Sequence, residues 1–322
     1  MIKKVSIVMA VYNEPKSWLK KSIESLLCQT HKDFEMIIIN DGSTNPETLD
    51  ELDLQSKLDS RIKLFQNSNI GLTSSLNYGV SKCDTNIIFR QDADDWSDHK
   101  RIEYQLEYIN NDPKVILIGS TPVFCQSNGK PIFKKSLPLD YPSIVKAFPE
   151  SNPFCHGSVC FRKDKFESIG GYDSRIKFSQ DYDFFWRLSK IGKVINLNKP
   201  IYFLRRTGTS ISSTKGNQQI IYDRLIIRKN THKEFDSIDF NEAENEIRKI
   251  GDTKQNLLRC GDELLLAGKF LLSFKAYSKA IYSYLEVKGL LKLLRLIVWI
   301  LLPLIRHKLF STPNERYNKR EK

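Results

Sequence analysis

Asp92-Ala93-Asp94-Asp95 places three carboxylates within one turn, directly after the apolar run at residues 86–89. Carboxylates this close repel one another, and they are tolerated where a cation sits between them or where solvent screens them. Hard oxygen ligands suit Mg2+ or Mn2+. These ions also bind substrate phosphates and neutralise charge as a diphosphate leaves. A solvated acidic turn that caps a helix is the other reading, and the motif alone leaves both open. Two more polar clusters follow apolar runs in the same way. Tyr12-Asn13-Glu14 comes after Val5–Val11, and Asn40-Asp41-Gly42-Ser43 comes after residues 34–39.

The elements that must position these clusters can be read from the apolar pattern. Apolar, β-branched runs occur at residues 5–11, 34–39, 62–65 and 86–89, with helix-like stretches at 18–28, 48–60 and 72–80 between them. Strands alternating with helices predict βαβ units and a parallel sheet. Continuous rather than alternating apolarity predicts strands buried on both faces. In open α/β sheets ligands bind beyond the carboxyl ends of the strands, so the three polar clusters are expected to converge on one edge.

Residues 113–205 read as mixed, with strands at 115–119, 159–162 and 194–197 and a helix at 181–190. From about residue 216 the chain turns helical and rich in Lys, Leu and Ile, and residues 261–284 have the spacing of a helix pair. The apolar stretch 296–305 is too short to span a bilayer, but flanking Lys and Arg make it a candidate in-plane membrane anchor. Helical packing or dimerisation is the alternative use of that tail.

The chain has 322 residues, 40% hydrophobic and 27% charged, which is ordinary for a folded protein and argues against general disorder. Its net charge of +12 fits nucleic acid, an anionic membrane surface or phosphorylated substrates. The basic excess is not interleaved with stacking aromatics in a sheet motif, which counts against nucleic acid. The six cysteines form no C-x-x-C pair and no zinc spacing, so reduced thiols and a cytoplasmic location are expected. The apolar run after Met1 is too short for a signal peptide and leads into Asn13-Glu14-Pro15 without a small-residue cleavage site.

Together these motifs resemble family 2 glycosyltransferases. Ser6-Ile7-Val8-Met9-Ala10-Val11-Tyr12-Asn13-Glu14 resembles the family's opening strand, and Asn40-Asp41-Gly42-Ser43-Thr44 its second motif. Asn69-x-Gly71-Leu72 with Leu76-Asn77-x-Gly79 resembles the third, and Arg90-Gln91-Asp92-Ala93-Asp94-Asp95 the DxD motif. Gly170-Gly171-Tyr172-Asp173, then Gln180-Asp181-Tyr182-Asp183-Phe184-Phe185-Trp186-Arg187, resembles the catalytic segment. The likeness covers about residues 3–213.

The resemblance implies an α/β fold of the GT-A type. A Rossmann-like nucleotide-sugar-binding half with a mostly parallel central sheet (residues 1–112) would join an acceptor half (113–215), with a C-terminal helical extension over 216–322. It implies that Ala10, Tyr12 and Glu14 line the nucleotide pocket, with Tyr12 stacking on the base, and that Asp41 hydrogen-bonds the base. A turn-forming Asp before Gly is the alternative for Asp41. Arg90 would pair with phosphate or brace the acidic turn. Asp92 would contact ribose or metal, and Asp94 would ligate Mn2+ or Mg2+.

The same resemblance makes Asp181 the general base that takes the acceptor's proton, with a helix N-cap as its structural alternative. Asp183, two residues along the helix, should face elsewhere. His156 would touch the acceptor or a phosphate, or serve the fold alone, and Trp186 reads as core. The chain departs from many relatives at Tyr202-Phe203-Leu204-Arg205-Arg206-Thr207, where Thr207 stands in place of a His that can contact metal or diphosphate. Arg205 and Arg206 could hold the diphosphate instead.

The expected reaction is inverting transfer from a nucleotide sugar donor, a UDP-sugar, to a glycan or lipid-linked acceptor in surface polysaccharide or lipopolysaccharide assembly. The expected place is the cytoplasmic face of the inner membrane, with peripheral contact through the C-terminal helices. A nucleotidyltransferase would carry a Gly-rich basic loop where Tyr12-Asn13-Glu14-Pro15 stands. A degenerate nucleotide-sugar- or membrane-binding scaffold would have lost acidic residues, whereas Asp41, Asp92, Asp94 and Asp181 all remain.

Overall fold

A computed structural model describes residues 4–207 and 216–231 of the chain. The expected C-terminal features at 261–284 and 296–305 lie outside the described residues. Those residues group into two compact units. The first holds residues 4–123, 134–204 and 222–231; the second holds 124–133, 205–207 and 216–221.

The elements run β1 (Val5–Val11), α1 (Lys16–Leu27), β2 (Phe34–Asp41), α2 (Pro46–Leu58), β3 (Ile62–Asn67), α3 (Leu72–Ser81), β4 (Ile87–Arg90) and β5 (Trp96–Ser97). They continue with α4 (Arg101–Asn111), β6 (Val115–Cys125), β7 (Pro131–Lys134), α5 (Tyr141–Ala147), a 3-10 turn (His156–Ser158) and β8 (Cys160–Arg162). The described part closes with α6 (Lys163–Ser168), α7 (Gln180–Ser189), β9 (Lys193–Arg205) and α8 (Gly216–Thr231).

The sheet order is β3-β2-β1-β4-β8-β6-β9-β5. The first half is parallel: β1 pairs with β2 from Val5↔Phe34 to Val11↔Asn40, and with β4 through Ile7↔Phe89. Val5, Ile7, Val8, Met9 and Ile37–Ile39 are at most 1% exposed, so both faces of these strands are covered, as their continuous apolarity predicts. Beyond β4 the sheet turns antiparallel, with Phe89↔Cys160 joining β4 to β8 and Ser97↔Tyr202 joining β5 to β9. The parallel half carries the three polar clusters, and the antiparallel half brings β8 and β9 against the last of them.

A second core surrounds α7. Phe148, Phe161, Phe184 and Phe185 are at most 1% exposed, and Trp186 stacks on Phe148 with ring centroids 5.2 Å apart. Burying each such ring stabilises the fold by roughly 1.5–3 kcal/mol. The N-terminal turn of α7, which begins with Gln180 and Asp181, therefore rests on a rigid base. Two carboxylate contacts hold it further. Asp183, fully buried, accepts from Arg187 Nε at 2.7 Å and from Lys229 Nζ of α8 at 3.0 Å.

In the second unit Phe124 and Phe133 stack at 4.9 Å, and the Arg206 N–H donates to the carbonyl of Cys125 at 2.7 Å.

Candidate functional site

The carboxyl end of β1 is locked by an asparagine. Asn13 adopts φ 55°, a left-handed conformation that Asn tolerates. Its Oδ1 accepts from the N–H groups of Thr44 at 2.7 Å and Asn45 at 2.8 Å. The loops after β1 and β2 are thereby tied together. Ala10 and Glu14 are half-buried here, and the Tyr12 ring is 49% exposed, open to a stacking partner.

Asp41 ends β2 and is buried. Its carboxylate accepts from the N–H of Ile70 at 2.8 Å and of Gly71 at 3.0 Å, so it holds the loop that leads into α3. In this structure Asp41 therefore organises backbone far along the chain, while its own turn is closed by Asn40 Oδ1, which accepts from the Ser43 N–H at 3.0 Å.

The DxD turn follows β4. Arg90 is 3% exposed, and its guanidinium is ion-paired with the half-buried Asp92. Burial works against the Arg90 charge, but the Asp92 carboxylate together with Tyr202 and Tyr172 outweighs it and the pKa is raised. The Nε of Arg90 makes no hydrogen bond among the described residues. Asp94 is half-buried and Asp95 buried. Because Ser97 pairs with Tyr202, the Tyr202 hydroxyl reaches back to this turn and donates to Asp95 Oδ2 at 2.8 Å.

Behind the turn lies Arg101, the first residue of α4 and 1% exposed. It donates to Gln91 Oε1, Ser97 Oγ and Gln105 Oε1, and to the carbonyls of Arg90 at 2.7 Å and Val159 at 3.2 Å. Burial pushes its pKa down to about 10, which still leaves it charged at neutral pH. Arg101 thus clamps the end of β4 to the segment before β8. Sequence reasoning missed it, together with Asn13 and Tyr202.

That segment carries His156 and Gly157. A Cβ on Gly157 would overlap the Tyr202 hydroxyl and lie 2.5 Å from Asp92 Oδ2, so only glycine lets the chain pass this close. His156 Nε2 sits 2.9 Å from the Tyr172 hydroxyl. Burial, then the Arg90 charge, holds its pKa well below the usual value, so the ring is neutral.

Asp181 lies in the first turn of α7. The helix N-cap is Ser179, in a left-handed conformation at φ 59°, so the capping alternative falls on Ser179 instead. Asn152 Nδ2 donates to Asp181 Oδ2 at 2.8 Å. Burial, then the negative charge of Asp223 on α8, pushes the Asp181 carboxyl up to about 6. Asp183 points away to its Arg187 and Lys229 partners, as the helix spacing predicts.

Arg90 links these groups. Its charge acts on Asp92, Tyr172, His156 and Asp181, so those four residues share one electrostatic neighbourhood. Arg205 and Arg206 belong to the second unit. There Arg205 donates to the carbonyl of Ser127 at 2.6 Å and Arg206 lies over the Phe124 ring.

Among the described residues no three His, Cys, Asp or Glu side chains form a metal-holding group. The two half-buried carboxylates Asp92 and Asp94 are hard oxygen donors. Their number suits an Mg2+ or Mn2+ that completes its shell with water and substrate phosphate. No described helix is long and apolar enough to cross a membrane. The described cysteines are free: Cys28 is exposed, and Cys83, Cys125, Cys155 and Cys160 are buried.

The chain is similar to known proteins in sequence and in fold. A glycosyltransferase of Methanocaldococcus jannaschii, MJ1057, is 36% identical over 186 residues, 57% of this chain; the chain spans 63% of that relative's length. The amylovoran biosynthesis glycosyltransferase AmsE of Erwinia amylovora is 30% identical over 213 residues, 66% of this chain and 79% of the relative. The crystal structure of S. aureus TarS 1-349 in complex with UDP-GlcNAc superposes with a TM-score of 0.56 at 15% identity, covering 88% of this chain and 89% of that one, a likeness of fold. Residues 6–170, which include all but the first residue of β1, Asp41, the DxD turn and His156, match Glycosyl transferase family 2, and the chain belongs to that family.

Proposed function

We propose that the protein is an inverting glycosyltransferase. It moves one sugar from a nucleotide donor, a UDP-sugar, to a hydroxyl of a glycan or lipid-linked acceptor in surface polysaccharide assembly. The observation that carries this reading is the match of residues 6–170 to Glycosyl transferase family 2, joined to the Arg90–Asp92 ion pair in the DxD turn and to Asp181, which is held by Asn152 Nδ2 at 2.8 Å and raised by burial to a pKa of about 6. A carboxylate with that pKa is ionised at neutral pH and more basic than an ordinary Asp, which suits general-base work. AmsE's place in amylovoran biosynthesis supports the polysaccharide setting.

Tyr12, exposed at the end of β1, offers its face to the nucleobase, with Ala10 and Glu14 lining the same pocket. Asp41 serves that pocket through the Ile70–Gly71 backbone it holds. Asp92 and Asp94 would hold Mn2+ or Mg2+, which when bound neutralises charge on the departing diphosphate. Arg90 braces Asp92 through their ion pair. Asp181 takes the proton of the acceptor hydroxyl as that oxygen attacks the anomeric carbon. Neutral His156, held against Tyr172, offers a contact for the acceptor.

The catalytic domain in this reading runs over residues 1–215, with nucleotide and acceptor halves meeting near residue 112, and α8 of the 216–322 region adds Asp223 and Lys229 to it. The C-terminal helices would make peripheral contact with the cytoplasmic face of the inner membrane. The test is nucleotide release by the purified full chain with Mn2+ and a panel of nucleotide sugars, with and without hydroxyl acceptors. One donor should be consumed faster with acceptor present. Absence of both binding and release for every donor would overturn the reading.

A further inference from the structure

The loop between α5 and the 3-10 turn contains a residue whose side chain has two fixed partners. Asn152 lies between Phe148 and Phe154, which are 0% and 4% exposed and anchor the loop on either side. Pro153 follows it and keeps Asn152 out of the helical region. Asn152 Oδ1 accepts from the Phe154 N–H at 3.1 Å. That bond settles which end of the amide is oxygen, because exchanging the two ends would set N–H against N–H. The NH2 group is therefore the end that meets Asp181 Oδ2, at 2.8 Å.

We infer that Asn152 is the positioning residue of Asp181, setting both the rotation and the basicity of its carboxylate. The inference rests on the reading of Asp181 as the general base, and it deepens that reading. An aspartate at the start of a helix is free to rotate about its last bond. A donor fixed from a separate loop removes that freedom without touching the donor sugar. A hydrogen bond to the charged form also favours that form. The backbone N–H groups of Tyr182 and Asp181 oppose burial and the Asp223 charge, which both raise the Asp181 pKa, and the Asn152 Nδ2 donor at 2.8 Å acts in the same sense as those N–H groups. The other groups that face Asp181 electrostatically are Arg90 from β4, which lowers its pKa, and Tyr172, held neutral by burial.

The decisive variant is Asn152→Ser. Its hydroxyl can still accept from the Phe154 N–H and keep the turn, but it is too short to reach Asp181. The Asp181 carboxyl is followed by 13C NMR in the full chain, its signal assigned by its loss in Asp181→Asn. In Asn152→Ser the titration should move upward by about half a pH unit or more. Asn152→Asp, which sets a like charge there, should move it further. Where transfer is measured, the acidic limb of kcat should shift by the same amount while KM for the nucleotide sugar stays within about twofold, a change below roughly 0.4 kcal/mol.

An unmoved Asp181 titration in Asn152→Ser, with an unchanged urea midpoint, overturns the inference. A titration that moves while the kcat limb stays in place overturns the positioning role and leaves only the contact. Normal transfer by Asp181→Asn overturns the general-base reading, and the inference with it, whatever the Asn152 variants do.

Discussion

Tyr202 and Asp95 are joined by a 2.8 Å hydrogen bond that fastens the C-terminal part of β9 to the DxD turn. The same hydroxyl lies 3.3 Å from both the backbone N–H and Oδ2 of Asp92. One phenol thus supports two carboxylates of the turn. Tyr202→Phe keeps the ring and removes only the hydroxyl. Loss of a buried hydrogen bond to a charged acceptor should cost about 1–3 kcal/mol in urea unfolding. Metal-dependent nucleotide binding, measured by calorimetry with UDP and Mn2+, should weaken in the same variant. A stability loss with unchanged UDP binding would separate Tyr202 from the function of the turn.

Replacing Arg101 should be costly to the fold around the DxD turn. Its five N–H donors all have partners, and three elements meet at its guanidinium. Arg101→Lys keeps the charge but supplies three donors, leaving buried carbonyl and amide oxygens without partners. The expected loss is about 2–4 kcal/mol by denaturant melt. Arg101→Lys with wild-type stability would contradict the clamp.

Asp181 and Asp183 sit two residues apart, yet they should act on stability with opposite sign. The Asp181 pKa is raised from 3.8 to about 6 by burial and then by Asp223. A carboxyl raised in the fold contributes stability below its unfolded value, and that contribution fades as pH climbs from about 4 to about 6. At neutral pH the ionised, half-buried group opposes folding. Asp181→Asn should therefore be more stable than the parent at pH 7.5 by roughly 1–2 kcal/mol, and equal to it near pH 4. Asp183→Asn instead breaks buried pairs with Arg187 and Lys229 and should cost about 3–5 kcal/mol at pH 7.5. Thermal melts of both variants at the two pH values check the contrast.

Much of the nucleotide half was legible in the sequence, for a physical reason. Strands buried on both faces carry uninterrupted apolar runs, and β1 to β4 lie within two residues of where those runs predict them. The polar clusters at their ends follow from parallel pairing alone. What stayed hidden depends on contacts far apart in the chain. Helix α4 buries Arg101 and Gln105 on the same face as Ile102 and Leu106, so polar residues break the apolar period that would have announced it. Strand β6 runs on past Gly119, where a side chain would collide with Asn196 of β9, so the glycine that reads as a strand end answers to a residue far along the chain. The hold of Asn152 on Asp181 spans 29 positions, and no local pattern encodes it.

The most direct test of the account pairs turnover with binding in Asp181→Asn. With the donor found in the nucleotide-sugar panel, the variant should bind that donor and Mn2+ within about twofold of the parent while transfer falls by a factor of about 10^2–10^4, the range general-base catalysis supplies. Transfer at near-parent rate by a folded Asp181→Asn chain would contradict the account at its centre.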